Sequence, residues 1–225
     1  MNTGCATIEW AGETLRLLPQ RAVWWERERT LFIADPHFGK AATFRNAGIA
    51  VPETSHTEDL ARLDEILRTR GAQRLVILGD FLHARSGRSD AVLGALSAWR
   101  TRNADLKILL VLGNHDRQAG APPAALDIEC VTGPWPLPPF HCCHEPQEIA
   151  DAFVLAGHLH PAFRLSERIG SALRSPCFWF APRLAVLPAF GDFTGTHTIR
   201  AKRGDQIFMI GDGAVLPLPN PLRQT

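Results

Sequence analysis

The sequence predicts an α/β fold in which two β-sheets pack together in one domain covering residues 1–225. Three observations predict it. Short apolar runs alternate with helix-patterned segments through the middle of the chain, as in βαβ units. Strand patterns stand at both ends, outside those units. The chain has 225 residues, 45% hydrophobic and 21% charged, which excludes a disordered polymer. A chain of this size buries roughly 70–75% of its unfolded surface.

The elements follow in order. Residues 6–10, 14–18 and 22–25 are apolar runs separated by Ala11-Gly12 and Pro19-Gln20, a meander pattern. Leu31-Phe32-Ile33-Ala34 is a buried run ending in Asp35. Ser55-x-x-Glu58 has the spacing of a capping box, and Leu60, Leu63, Ile66 and Leu67 repeat at helical spacing after it. Leu75-Val76-Ile77-Leu78 is the next run. A helix over residues 91–100 follows, with Val92, Leu96 and Trp99 on one face, and then the run at residues 108–112. The proline-rich stretch 120–139 reads as loop. Strands return at residues 153–156, 177–180, 184–187 and 207–210, and Gly211-Asp212-Gly213 turns the last into Val215-Leu216.

Composition excludes several function classes. Lys+Arg 24 against Asp+Glu 23 leaves +1, so no global field steers the chain to a polyanion or a membrane. The five cysteines include no C-x-x-C pair; a disulfide framework is not expected, and a reducing cytoplasm fits. The opening Met1-Asn2-Thr3-Gly4 lacks the basic and apolar regions of a signal peptide, and no apolar stretch approaches the ~18 residues of a membrane span. The one unusual count is nine histidines.

Polar residues fall where the apolar runs end. Residues 31–34 deliver Asp35-Pro36-His37, residues 75–78 deliver Gly79-Asp80, and residues 108–112 deliver Gly113-Asn114-His115-Asp116. The segment around Phe140 delivers His144, and residues 153–156 deliver Gly157-His158-Leu159-His160. In an open α/β sheet, ligands bind at the carboxyl ends of strands. Asp35 and His37, and likewise His158 and His160, would share one side of an extended strand end. Carboxylates, imidazoles and one amide without thiolate suit Mn²⁺, Fe or Zn²⁺. The set exceeds one tetrahedral ion and matches two ions about 3.5–4 Å apart sharing a carboxylate. Glycine before several of these residues would let the backbone turn sharply.

In these motifs the sequence resembles the calcineurin-like metallophosphoesterases, from about Leu31 to about Gly191. The resemblance implies a four-layer α/β sandwich of two facing mixed sheets flanked by helices. It implies one metal on Asp35, His37 and His160, and a second on Asn114, His144 and His158, with Asp80 bridging. A metal-bridging hydroxide would attack phosphorus in line, with His115 as catalytic acid and Asp116 orienting its imidazole. A narrower resemblance is to the bacterial ligase-associated DNA damage response endonucleases of the PdeM type. It is carried by Ala34-Asp35-x-His37-Phe38-Gly39-Lys40, Phe44-Arg45-x-x-Gly48-Ile49-x-Val51-Pro52, Gly79-Asp80-Phe81-Leu82-His83-Ala84-Arg85 and His158-Leu159-His160-Pro161. This implies DNA repair beside an ATP-dependent ligase, an exonuclease and a helicase. Pro36 departs from the leucine of many relatives; a strand-end position should tolerate the lost donor.

Around the motifs, Arg45, His83, Arg85 and Arg117 are candidates for substrate phosphate. Arg88 and Arg164 could add to a local positive field, and Phe44, Phe81 and Phe163 could stack bases. His83 is equally well a surface loop residue, and His141 competes with His144 as a ligand. His56, His197, Cys142, Cys143 and a turn-forming Asp192 read as structural. The leading function is a two-metal phosphodiesterase on DNA. A phosphoesterase for cyclic nucleotides or nucleotide diphosphates would use the same core. A non-catalytic scaffold is disfavoured, because His115 and every metal position are present.

Overall fold

The computed structural model describes residues 4–46, 48, 55–166 and 172–219. Strands β1 (Ala6–Trp10), β2 (Glu13–Leu18), β3 (Ala22–Trp25) and β4 (Thr30–Ile33) form the antiparallel meander. The turn Ala11-Gly12 has φ of 56° and 76°, which gives a two-residue hairpin of the type that matches strand twist. From β4 the same sheet continues in parallel through β5 (Arg74–Ile77), β6 (Lys107–Val111) and β7 (Glu129–Val131). The second mixed sheet comprises β8 (Trp135–Leu137), β9 (Phe140–Cys142), β10 (Phe153–Ala156), β11 (Pro161–Ser166), β12 (Ala172–Phe180), β13 (Leu184–Val186), β14 (His197–Thr198), β15 (Gln206–Gly211) and β16 (Ala214–Pro217).

Helices α1 (Lys40–Asn46), α2 (Ser55–Arg70), α3 (Asp90–Arg102) and α4 (Asn114–Ala119) gather on the outer face of the first sheet. There Leu60, Leu63, Ile66, Leu67, Val92, Leu96 and Trp99 cover Trp24, Leu31, Ile33, Leu75, Ile77 and Leu110. The facing residues of the two sheets make the central core, in which Trp10 stacks on Phe140 at 5.6 Å. Each large apolar side chain buried there contributes about 1.5–3 kcal/mol. Among the described residues no helix covers the outer face of the second sheet. Ile199, Ala201 and Leu218 cover Phe163, Cys177 and Met209 instead, and Ile149 packs against Val154 and Ala156.

The chain is therefore an α/β protein of two mixed sheets flanked by helices, and the flanking helices lie on one side. Strands β4, β5 and β6 are buried on both faces, so they read as continuous apolar runs rather than alternating ones. The stretch 120–139 is not all loop. It holds a 3-10 turn at Ala124–Leu126 and the strands β7 and β8. Proline hides β8 from pattern reading, but β8 ends its sheet, where a missing donor is tolerated. The capping contact at Ser55, the His56 side chain and the motif positions Ile49, Val51 and Pro52 lie outside the described residues. No described helix is long and apolar enough to cross a membrane.

Candidate active site

The parallel strands bring the polar motifs to one rim. Asp35, Pro36 and His37 follow β4, Gly79 and Asp80 follow β5, and Gly113 and Asn114 follow β6. Beyond β9 comes His144, and beyond β10 come His158 and His160. The rim is closed by main-chain bonds. Asp35 N–H donates to Gly79 O (3.2 Å), His37 N–H to Asp80 O (2.9 Å), and Phe190 N–H to Ala34 O (2.7 Å). The ladder donors flank Pro36 on both sides, which is why proline fits there.

Two ligand sets that include a carboxylate result, beside a third convergent group made of the imidazoles of His37, His83 and His115. The donor atoms of Asp35, His37 and His160 lie within 4.8 Å of one another, and so do those of Asp80, His144 and His158. Asn114 joins the second set, its Oδ1 being 2.9 Å from His144 Nε2. Asp80 stands between the sets. Its Oδ2 is 3.8 Å from His37 Nε2, and its Oδ1 is 3.5 Å from His144 Nε2. All seven expected ligand positions are thus brought together.

The extended-strand picture of the motifs does not hold. Asp35, His37, Asp80, His158 and His160 have φ of 50°, 48°, 52°, 68° and 47°, the left-handed region that non-glycine residues avoid. Such strain persists where surrounding structure over-determines it, characteristically at functional sites. The turns send His158 and His160 to different sets. The glycines act by close approach. A Cβ on Gly79 would stand 2.0 Å from His144 Nδ1, and one on Gly157 would stand 2.7 Å from Asp35 Oδ2.

The hydrogen bonding fits two cations. His144 Nδ1–H is directed at Leu78 O (3.0 Å), which leaves Nε2 as a lone-pair donor facing Asn114 Oδ1 and His158 Nδ1 (3.0 Å). His160 Nδ1–H donates to Gly195 O (3.0 Å) and turns Nε2 inward, 3.6 Å from Asp35 Oδ2. Backbone carbonyls orient ligating imidazoles in this way in metal sites. Among the described residues, Asp35 Oδ1 and His160 Nε2 are buried without a hydrogen-bond partner. Convergent lone-pair donors of this kind are what divalent cations satisfy, and nitrogen and oxygen donors suit borderline metals.

Charge follows burial. Burial holds the His37 imidazole far below the ordinary histidine range, helped by Lys40 and the neighbouring imidazoles. Burial brings His83 down to about 4, again with Lys40 and His115 assisting. Asp80 is pushed up by burial and by Asp35, against the opposing pull of His144. In His160 burial is outweighed by the Asp35 carboxylate, and its pKa rises.

The imidazole of His115 is held differently from the expected way. Its Nδ1–H donates to the His83 main-chain carbonyl (2.7 Å), and its ring stacks on the His83 ring at 4.8 Å. The Asp116 carboxylate does not orient it. That carboxylate is buried and accepts from Gly113 N–H (3.0 Å) and Leu82 N–H (3.2 Å). Asp116 therefore ties two ligand-bearing loops together and caps its own helix.

The surroundings correct other expectations. His83 belongs to the cluster, its Nδ1 being 3.4 Å from His37 Nδ1. His141 lies on β9, paired with Val154 and Pro136 away from the rim, and leaves the ligand position to His144. Phe81 and Phe163 are 1% and 0% exposed and offer no stacking face. Phe44 is half-buried with its ring 6.4 Å from His83. Arg88 is committed to the carbonyls of Ala119, Gly120 and Ala121. Arg85 and Arg117 are exposed, with Arg85 Nε donating to Gln118 O, and Arg45 is half-buried near the end of α1. Arg164 is exposed on β11, opposite Arg174.

Three residues had no place at the site in the sequence reading, Lys40 standing only within a motif and Asp192 only as a turn former. Lys40, the first residue of α1, is half-buried and lines a crevice with His37 and Phe193. Phe193 is a large apolar residue exposed at 39%. Asp192 accepts ion pairs from Arg21 (3.0 Å) and Arg62 (2.6 Å). The position of Lys40 after Phe38-Gly39 was visible; the other two depend on chain folding.

The fold and this double ligand set define a calcineurin-like phosphoesterase. The family model of that name matches residues 28–150, and the chain belongs to the family. It is a hydrolytic phosphoesterase, in a family that uses a dimetal centre. It is also similar to a solved structure, the Pseudomonas putida nuclease MPE, at 43% identity and a TM-score of 0.84. The alignment covers 95% of this chain and 100% of that one. No curated protein matches the chain.

Proposed function

We propose that this phosphoesterase is a two-metal nuclease that hydrolyses phosphodiester bonds in DNA, with Mn²⁺ as its metal. The observation that carries the reading is Asp80, one oxygen toward each ligand set, in a chain similar over nearly all its length to a nuclease. Bound there, two cations supply Lewis acidity toward the phosphoryl oxygens and a water deprotonated near neutral pH. Asp35, His37 and His160 hold one, and Asn114, His144 and His158 the other. His115, with Nδ1–H fixed on the His83 carbonyl, keeps Nε2 for the leaving oxygen. His83 and Lys40 add donors for the substrate phosphate.

The similarity to a nuclease over nearly all of the chain supports a polymer over a small ligand. His37, Lys40 and Phe193 line a narrow crevice beside the ligand sets. A cavity of about 1170 Å³ lies at the other end of the strands beside Arg74 and Lys107. A place in DNA repair beside a ligase, an exonuclease and a helicase goes with this reading, as does a cytoplasmic location.

The test is an assay of the full chain, stripped of metal and then given Mn²⁺, on single-stranded DNA, duplex DNA, cyclic nucleotides and bis-p-nitrophenyl phosphate. DNA should be cut faster than cyclic nucleotides, and EDTA should abolish cleavage. Faster turnover of cyclic nucleotides than of either DNA would assign the site to small phosphodiesters. No hydrolysis of any substrate with any divalent metal would sink the enzyme reading.

A further inference from the structure

Arg62 stands on α2, outside every motif. Its guanidinium is largely buried and makes three bonds in two directions. Nη1 donates to Asp192 Oδ2 (2.6 Å), while Nη2 donates to Asp59 Oδ1 (2.6 Å) and to the Phe190 carbonyl (2.5 Å). The guanidinium also lies 4.4 Å over the Phe190 ring. Arg21 grips the same loop from β2–β3, pairing with Asp192 at 3.0 Å. Asp59 is 6% exposed, a carboxylate kept inside by this cation.

What these bonds hold is the segment 190–195, and that segment reaches two metal ligands. Phe190 N–H donates to Ala34 O (2.7 Å) and Gly191 N–H to Asp35 O (3.4 Å), so its start is sewn to the backbone of Asp35. Gly191 lies so close to Pro36 that a Cβ would be 2.3 Å from the Pro36 carbonyl. Thr194 Oγ1 donates back to Gly191 O (2.7 Å) and closes the loop. Its far end presents the Gly195 carbonyl, which takes His160 Nδ1–H at 3.0 Å and aims Nε2 inward. Asp35 and His160 belong to the same ligand set.

We infer that Arg62 is a positioning residue for the metal bound by Asp35, His37 and His160, acting through the 190–195 loop and the Gly195 carbonyl. The inference rests on the dimetal reading of the site. A planar fork is required, because one group must meet a carboxylate, a second carboxylate and a carbonyl while lying flat on a ring. Lysine can satisfy only part of that set. The partners lie 3, 128 and 130 residues away in sequence, so the clamp has no motif. Outer residues that orient a metal ligand typically change metal affinity about 10–100-fold when removed.

The experiment is Mn²⁺ titration of the metal-free full chain by isothermal calorimetry, for wild type, Arg62→Ala, Arg62→Lys and Asp192→Asn. Wild type should take up two ions. Arg62→Ala should keep one near wild-type affinity, at the Asp80, Asn114, His144 and His158 position, and bind the other about 10–100-fold more weakly. Arg62→Lys should recover part of the loss. Arg102→Ala, which breaks only an exposed pair with Asp64, should bind as wild type does. Asp192 is half-exposed, so Asp192→Asn keeps the fold testable if Arg62→Ala does not fold, and it should weaken the same ion. Wild-type affinity for both ions in Asp192→Asn, or in a folded Arg62→Ala, overturns the inference. Equal weakening of both ions overturns it too, since that is the signature of general loosening. A wild-type chain that binds no Mn²⁺ removes the dimetal reading itself.

Discussion

At the scale of single residues, the chemistry turns on which atom of each imidazole is already engaged. His115 has Nδ1 committed to the His83 carbonyl and Nε2 left for substrate. It belongs to neither set that pairs carboxylates with imidazoles. Removing its side chain should therefore leave metal uptake intact while removing a proton donor. General acid–base groups contribute typically 10²–10⁴-fold. An alkoxide leaving group, as in DNA, needs that proton; p-nitrophenolate departs without it. His115→Ala is expected to lose at least about 100-fold in DNA cleavage and far less on bis-p-nitrophenyl phosphate, with Mn²⁺ stoichiometry unchanged in calorimetry. Equal losses on both substrates would mean that His115 supports the metals rather than the leaving group.

At the scale of elements, the site is a set of strand ends that must nearly touch, and glycine sets how closely. Gly79 follows β5 with φ +87°, and a Cβ there would stand 2.0 Å from His144 Nδ1. Gly79→Ala must displace His144, strain the turn before Asp80, or both. Strain of this kind costs about 1–3 kcal/mol. The variant should show a lower denaturant midpoint and weakened Mn²⁺ binding at the His144 position; a wild-type midpoint and affinity would show that the loop can give way. This contact also marks what was legible in the sequence. The apolar runs ending in Asp35, Asp80, Asn114 and His158 were readable, because fully buried parallel strands leave an unbroken apolar signature. The reason for Gly79 was not, since it concerns a neighbour 65 residues later. Likewise the orienter of His115 is a main-chain carbonyl, which every residue has, and so Asp116 drew the role instead. Phe81 and Phe163 sit beside site motifs in sequence, yet face the core. The three-residue strand β8 was hidden by proline.

At the scale of the whole molecule, the two sheets and their loops enclose a cluster that the metal-free chain holds against its own electrostatics. His83 is depressed to about 4 and His37 is depressed as well, both chiefly by burial, from an unfolded value of about 6.5. Between those values these two imidazoles bind more protons in the unfolded chain than in the folded one, so their contribution to stability rises with pH across that window. It is fully present above about pH 6.5 and is lost as pH falls toward 4. His160, Asp80, Asp116 and Asp59, the last pushed up to about 7 by burial, contribute in the opposite sense and offset the histidines over the same range. With depressed imidazoles and raised carboxylates opposing one another, the metal-free chain should differ little in melting temperature between pH 5 and pH 7.5. Cations that bind only the folded chain add stability by mass action, about 2.7 kcal/mol at a hundredfold excess over Kd. For a chain of this length that is about 5–10 °C in Tm. The gain should shrink toward pH 5, where protons compete for the same imidazoles. Calorimetric melting with EDTA and with Mn²⁺, at both pH values, checks each part. Equal Tm with and without Mn²⁺ at pH 7.5 would mean that the convergent donors do not hold a cation, and a large metal-free difference between the two pH values would mean that the imidazoles and the buried carboxylates do not offset one another.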